Sequence, residues 1–136
     1  MECILKQMGN NWYFDSYDIR KFAPDEIATF LDIGMNVGSM TLMARLLMPK
    51  AKVIGMEPCK EIFEIAKERI MCWGKKDANI YNVALGNGSP LHFEKSSHSG
   101  MHRFFTQEER VKRGIPDEYD VDSKTLKQIY WQNIRY

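Results

Sequence analysis

Residues 30–41 read FLDIGMNVGSMT and carry the most informative local pattern of the chain. An apolar run stops at a carboxylate, Asp32, and passes into a turn with Gly34, Asn36 and Gly38 at alternate positions. Glycine lets a backbone take unusual dihedral angles and lets another group approach without a Cβ in the way. The segment therefore predicts a buried strand that ends at an acid, followed by a glycine turn at which a helix begins.

From this turn towards residue 96, patterns typical of strands alternate with patterns typical of helices. Apolar runs predict buried strands, and apolar side chains at helical spacing predict helices between them. The predicted strands are residues 28–33, 51–57 and 78–85, and the predicted helices are residues 36–48 and 58–72. A strand-helix-strand-helix-strand order builds a parallel unit, which is half of a doubly wound nucleotide-binding fold. We therefore predict an α/β, Rossmann-like fold with a partial, mostly parallel doubly wound sheet.

The parts on either side of this core carry weaker patterns. Residues 1–27 are interpreted as a lead-in with an N-terminal hairpin around Gly9, and residues 90–96 as a fourth, antiparallel strand. Residues 97–136 are predicted to be irregular apart from a helical turn at residues 107–112 and a final helix starting at Ser123. The whole chain is expected to form one domain around the strand-helix-strand-helix-strand core at residues 28–96.

Composition and charge exclude several classes. The chain has 136 residues, with 19 Lys and Arg against 18 Asp and Glu, so no strong field attracts nucleic acid or an anionic membrane. The 3 cysteines include no C-x-x-C pair, which disfavours a disulfide framework or a zinc site. No secretory leader or membrane-spanning run is recognised. We expect a cytoplasmic protein that binds no metal, nucleic acid or membrane.

The first turn predicts a small polar ligand. In a unit of this type the turn after strand one faces the ligand, and the helix that follows points its free N–H groups there. A site that combines these N–H groups with the carboxylate of Asp32 suits a ligand that has both an ammonium and a carboxylate. It suits a pyrophosphate less well, because Asp32 would repel it. Glu57 ends the second strand about 20 residues further on, where an acid accepts hydrogen bonds from ribose hydroxyls, and Pro58 offers a flat apolar surface to adenine. The alternative is structural: Gly34 and Gly38 only make a tight turn, and Glu57 only caps a helix.

The segments FLDIGMNVGSMT, VIGMEP and NVALGNG together resemble the FkbM-type S-adenosylmethionine-dependent methyltransferases, over residues 30–88 and more loosely beyond. The resemblance implies S-adenosylmethionine as cofactor and methyl transfer to a hydroxyl of a small molecule or sugar. It also implies a cofactor site whose members are Asp32, Gly34, Asn36, Gly38 and Thr41 for the methionine end, Glu57 for the ribose, Pro58 for the adenine face, and Val83 and Ala84 for the adenine edge. Many related enzymes have an Asp near Val83 for the adenine amino group, and here Asn82 is the nearby alternative. No catalytic base is assigned among His92, His98 and His102.

Two alternatives stay open. Members of that family continue into a second half that pairs with strand one. Here either the chain is a fragment, or the N-terminal hairpin covers that strand, or a second chain or a homo-oligomer covers it. The chain is then either an O-methyltransferase or a non-catalytic adenosyl-cofactor-binding or interaction module. A nicotinamide-dependent oxidoreductase is disfavoured, because the turn reads D-x-G-x-N-x-G in place of G-x-G-x-x-G.

Overall fold

The computed structural model of the protein describes residues 21, 25–72, 79–94, 103–114 and 120–133. Within these residues the chain is a mixed α/β protein with eight strands and four helices. In chain order they are β1 (Thr29–Ile33), α1 (Ser39–Leu47), β2 (Lys52–Met56), α2 (Lys60–Cys72), β3 (Asn79–Tyr81), β4 (Ala84–Leu85), β5 (Leu91–Glu94), β6 (Arg103–Phe105), α3 (Gln107–Arg113), β7 (Asp120–Val121), β8 (Ser123–Lys124) and α4 (Leu126–Asn133). The predicted N-terminal hairpin lies outside the described residues.

A parallel sheet of β1, β2 and β3 positions the candidate site. Its order is β1-β2-β3, with both neighbouring pairs parallel. Asp32 is paired in register with Gly55, and Met56 with Tyr81. The order of two helices and three parallel strands predicted from the sequence is confirmed. Because the strands are parallel, their carboxyl ends lie side by side, and the residues that follow each strand meet at one edge.

Apolar side chains cover both faces of this sheet. Side chains alternate between faces along a strand, so neighbouring residues enter different clusters. One cluster packs α2 against the sheet and contains Met35, Phe63, Ala66 and Ile70, with Ile80 against it. The other contains Ile54, Met56, Val83 and Ile129, with Leu31 and Tyr81 against it. Ile129 of α4 is 1% exposed, so the final helix is attached to the face opposite α2.

Both helices of the core begin later than predicted. Helix α1 starts at Ser39 and not at Asn36, because Gly34, Asn36 and Gly38 all have positive φ values of 74°, 51° and 79°. A right-handed helix requires negative φ at every residue, so it can form only after the last of them. Helix α2 starts at Lys60 and not at Pro58.

The third predicted strand, residues 78–85, is two strands in different sheets. β3 pairs with β2, whereas β4 pairs in parallel with β8. The change of partner follows Tyr81, because the Ala84 N–H donates to the Asp122 carbonyl at 2.8 Å. Gly86, directly after β4, lets β4 lie close to β8, since a Cβ at this position would be 2.8 Å from the Ser123 side chain.

The final helix does not start at Ser123, which belongs to β8. Thr125 and Gln128 exchange hydrogen bonds at the true start of α4: the Gln128 N–H donates to Thr125 Oγ1 at 3.2 Å, and the Thr125 N–H donates to Gln128 Oε1 at 2.7 Å. This T-x-x-Q arrangement is a capping box. Thr106 and Glu109 form the same motif at α3.

The described part of residues 97–136 is therefore more regular than predicted. The described part of this segment contains β6, α3, β7, β8 and α4. The predicted helical turn at residues 107–112 is α3. The predicted fourth strand is β5, and its antiparallel direction is confirmed, but it belongs to a separate sheet of order β6-β5-β7.

Candidate functional site

The candidate site is the glycine turn between β1 and α1, which is fastened to the end of β2. The backbone N–H groups of Gly34 and Met35 both donate to the Met56 carbonyl, at 2.9 and 2.8 Å. The Gly38 N–H closes the turn on the Met35 carbonyl at 2.9 Å. Gly34 is exposed, and a Cβ built there would meet nothing within 4 Å. The turn is therefore open to a ligand at Gly34.

Gly38 has a structural reason to be glycine. Its φ is 79°, and a Cβ would lie 3.1 Å from Ile70 Cδ1 and 3.3 Å from Ala66 Cβ on α2. The start of α1 thus packs directly on α2. For Gly38 the tight-turn explanation is sufficient, whereas for Gly34 the space beside the backbone remains open.

Asp32 lies at the positive end of α1. Its Oδ2 atom accepts a 2.6 Å hydrogen bond from the Thr41 hydroxyl, and the carboxylate also accepts from the Thr41 backbone N–H. Burial raises the pKa of Asp32 above the ordinary aspartate value, and the bonds from Thr41 offset only part of that rise. Thr41 is itself 1% exposed. It therefore influences the site through Asp32, and its predicted contact with a cofactor stays a prediction.

Glu57 connects the first turn to the start of α2. It is 6% exposed, and its two carboxylate oxygens accept 2.9 Å hydrogen bonds from different segments: Oε2 from the Asn36 N–H and Oε1 from the Cys59 N–H. Cys59 directly precedes α2, so this bond satisfies a free N–H at the helix start, but Glu57 is not itself the N-cap residue that the structural alternative predicted. A carboxylate oxygen has two acceptor positions, so these bonds are compatible with further hydrogen bonds from ligand hydroxyls.

Asn82 belongs to this group of residues, although the sequence analysis predicted only a conditional role for it. Its Nδ2 atom donates to the backbone carbonyls of Glu57 and Pro58, at 2.8 and 3.0 Å. The signal for it was its position directly after a strand, at the same sheet edge as Asp32 and Glu57.

The remaining predicted site residues are less accessible. Pro58, Val83 and Ala84 are all buried. Val83 packs in the cluster that contains Ile129, and the Ala84 N–H is bonded to Asp122. The structure thus brings together Asp32, Gly34, Asn36, Gly38, Thr41 and Glu57. The adenine roles of Pro58, Val83 and Ala84 stay predictions.

Other features of the described residues lie away from this edge. His92 is buried in β5, in the antiparallel sheet, and His98 and His102 are outside the described residues. A recess of about 170 Å³ lies near the opposite end of the parallel sheet, with Lys52 and Asn79 in its lining. The part of the chain that the structure describes has no group of three or more His, Cys, Asp or Glu side chains placed to hold a metal ion. None of its helices is long and apolar enough to cross a membrane.

Comparison of the chain with protein-family models, with curated proteins and with solved structures gives no match.

Proposed function

We propose that the chain binds S-adenosylmethionine at the carboxyl end of its parallel sheet, as an FkbM-type methyltransferase built on a partial Rossmann-like fold. The observation that carries this proposal is the position of the Asp32 carboxylate, at the start of α1 beside the open turn at Gly34, with Glu57 on the neighbouring strand end. The proposal includes the predicted cytoplasmic location.

The charge at this position selects the class of ligand. A helix start with free N–H groups attracts anions such as phosphates. Here the Thr41 N–H already donates to Asp32, so a negative group occupies that end of the helix. A pyrophosphate would meet like charge, whereas an ammonium beside Asp32 would be attracted. This favours a zwitterionic nucleoside over a dinucleotide.

The second acid supports the nucleoside part. Glu57 is held at both oxygens by backbone N–H groups, so its direction is fixed before a ligand arrives. Ribose hydroxyls donating to its remaining acceptor positions would gain strength from a buried, charged acceptor. The predicted site therefore has a cation-binding part at Asp32 and a hydroxyl-binding part at Glu57, at the ends of adjacent strands.

When bound, S-adenosylmethionine supplies an electrophilic methyl group on a sulfonium. The residues of this chain would hold and orient that group, and positioning of the reactants supplies much of the acceleration in such a reaction. An acceptor hydroxyl of a small molecule or sugar would gain the methyl group and lose its proton. No described residue is assigned as the base that takes this proton.

A second candidate function is a non-catalytic module that binds an adenosyl cofactor or a partner chain. It is favoured by the finding that the carboxylates of Asp32 and Glu57 both accept hydrogen bonds at the starts of helices. In the described sheet, β1 is an edge strand that pairs with β2. We propose that a second copy or another chain covers β1. Methyl transfer to a hydroxyl acceptor would distinguish the enzyme from a cofactor-binding module, since both of these bind the cofactor.

The test is calorimetric titration of chain 1–136 with S-adenosylhomocysteine. Glu57→Gln keeps the size and one acceptor oxygen, and Glu64→Gln is its control, because it removes the same charge from an exposed position on α2. Asp32→Asn is matched by Asp25→Asn, an exposed acid paired with Lys50. We expect saturable binding that weakens about 10- to 100-fold in Glu57→Gln and in Asp32→Asn, since each loses a charged acceptor. The controls should match the wild type.

Binding that is equally strong in all variants would show that the ligand lies elsewhere. A folded chain that does not bind S-adenosylhomocysteine would contradict the proposal and leave the two acids with their structural roles alone.

A further inference from the structure

We infer that Asn82 is a positioning residue for the candidate site, and that it acts by fixing Glu57 so that its carboxylate holds the glycine turn. For its effect on ligand affinity the inference rests on the proposed function. For its effect on the turn itself it rests only on the contacts among Asn82, Glu57 and Asn36.

The orientation of the Asn82 amide is determined by its neighbours. Its nitrogen contacts two carbonyl oxygens, of Glu57 and Pro58, and carbonyl oxygens only accept, so the amide must present its nitrogen to them. An amide nitrogen has two hydrogens, and both are used. Turning the group over would face its oxygen towards two carbonyls and leave these without a donor.

Residues 81 and 82 together hold both backbone polar groups of Glu57. The Glu57 N–H donates to the Tyr81 carbonyl at 3.0 Å, and the Glu57 carbonyl accepts from Asn82. With both groups fixed, the direction in which the Glu57 side chain leaves the backbone is fixed as well. Residues at the end of β3 thus orient the side chain of Glu57, the acid at the end of β2.

The carboxylate of Glu57, oriented in this way, stabilises the glycine turn between β1 and α1. Glu57 Oε2 accepts from the N–H of Asn36, whose φ of 51° lies in the left-handed region that a side-chain-bearing residue rarely adopts. A hydrogen bond to a buried carboxylate stabilises that conformation. Two consecutive side-chain-to-backbone contacts therefore connect the ends of all three parallel strands: Asn82 to Glu57, and Glu57 to Asn36.

A first experiment measures the turn without any ligand. Amide hydrogen exchange followed by NMR is compared between the wild type and Asn82→Ala, with Ile54 in the middle of the sheet as the reference for global opening. We expect exchange at Asn36 to accelerate by at least about tenfold more than at Ile54. Asn87→Ala is the control, because the Asn87 side chain also bonds the backbone, but in an exposed turn away from Glu57, where its oxygen accepts from the Ser89 N–H. Asn82→Ser, which keeps one donor, replaces Asn82→Ala if the latter does not fold.

A second experiment asks whether the effect passes through Glu57. Affinity for S-adenosylhomocysteine should fall about tenfold in Asn82→Ala. In a Glu57→Gln background the same substitution should change affinity by less than about twofold, because the charged carboxylate through which Asn82 acts on the ligand is already gone. Asn87→Ala should leave the affinity unchanged in both backgrounds.

Equal acceleration of exchange at Asn36 and Ile54 would overturn the inference, since Asn82 would then affect only global stability. A full tenfold loss in the Glu57→Gln background would overturn it as well. If the wild type binds no S-adenosylhomocysteine, the proposed function fails, while the exchange measurement still decides the role of Asn82.

Discussion

Replacing Gly38 by Ala tests whether the turn is built on close packing between α1 and α2. The backbone at this position has φ of 79°, and the added methyl group would lie 3.1 Å from Ile70 Cδ1 and 3.3 Å from Ala66 Cβ. The Ile70 end is flexible, but Ala66 is a short, fully buried side chain on a helix. We therefore expect both a backbone penalty and a packing penalty.

The magnitude follows from these two effects. An alanine in the left-handed region costs about 1–2 kcal/mol. Forcing one carbon into a packed interface costs about 1–3 kcal/mol more. The lower entropy of an unfolded chain with Ala in place of Gly recovers about 0.4–1 kcal/mol. The free energy of unfolding of Gly38→Ala should therefore fall by about 1–4.5 kcal/mol.

The assay is urea unfolding followed by far-ultraviolet circular dichroism, with Gly34→Ala and Gly114→Ala as matched controls. Both have similar φ values, 74° and 65°, and an added Cβ at either would meet nothing within 4 Å. They should lose only about 0.5–1.5 kcal/mol. Gly34→Ala should in addition weaken S-adenosylhomocysteine binding, because its methyl group would enter the proposed ligand space.

The size of the difference between variants decides the outcome. If Gly38→Ala costs no more than the two controls, the packing of α1 on α2 at this position is refuted. If Gly34→Ala binds ligand as the wild type does, the ligand does not approach the turn at Gly34.

Three further outcomes are expected. Because burial raises the folded-state pKa of Asp32 above the ordinary aspartate value of 3.8, the stability of the wild type relative to Asp32→Asn should be greatest below that pH and should decrease as pH rises above it, measured by urea unfolding. An increase would contradict the buried environment. In a Cys3→Ser background a thiol reagent should label exposed Cys72 rapidly in the native state. Cys59 should react only on unfolding, because it is 1% exposed and its pKa is raised, mainly by burial and also by Glu61. Equal labelling rates for Cys59 and Cys72 in the native state would refute the burial of Cys59. Thr125→Ala should lower stability by about 1 kcal/mol in thermal melts, and no change would show that the capping box does not hold α4.

Local patterns determined the core of this protein. Apolar runs and helical spacing are properties of short windows, so the sequence predicted three parallel strands, two intervening helices and the glycine turn. The helix starts were also encoded locally. The T-x-x-E and T-x-x-Q motifs at Thr106 and Thr125 mark α3 and α4, and the second of them would have corrected the start placed at Ser123.

The sequence alone was sufficient to predict the parallel core and to place Asp32 and Glu57 at the carboxyl ends of adjacent strands, but not to predict β6, β7, β8 or the break in the third strand. Only the tertiary structure decided which partners those two acids meet. Whether Glu57 bonds the start of α2, holds Asn36, or does both depends on the register between β1 and β2, which no local pattern contains. The break after Tyr81 likewise depends on β8, nearly 40 residues away, because strand pairing is a contact between distant segments. The roles of Asn82 and Gly38 are visible only once those distant segments are packed together.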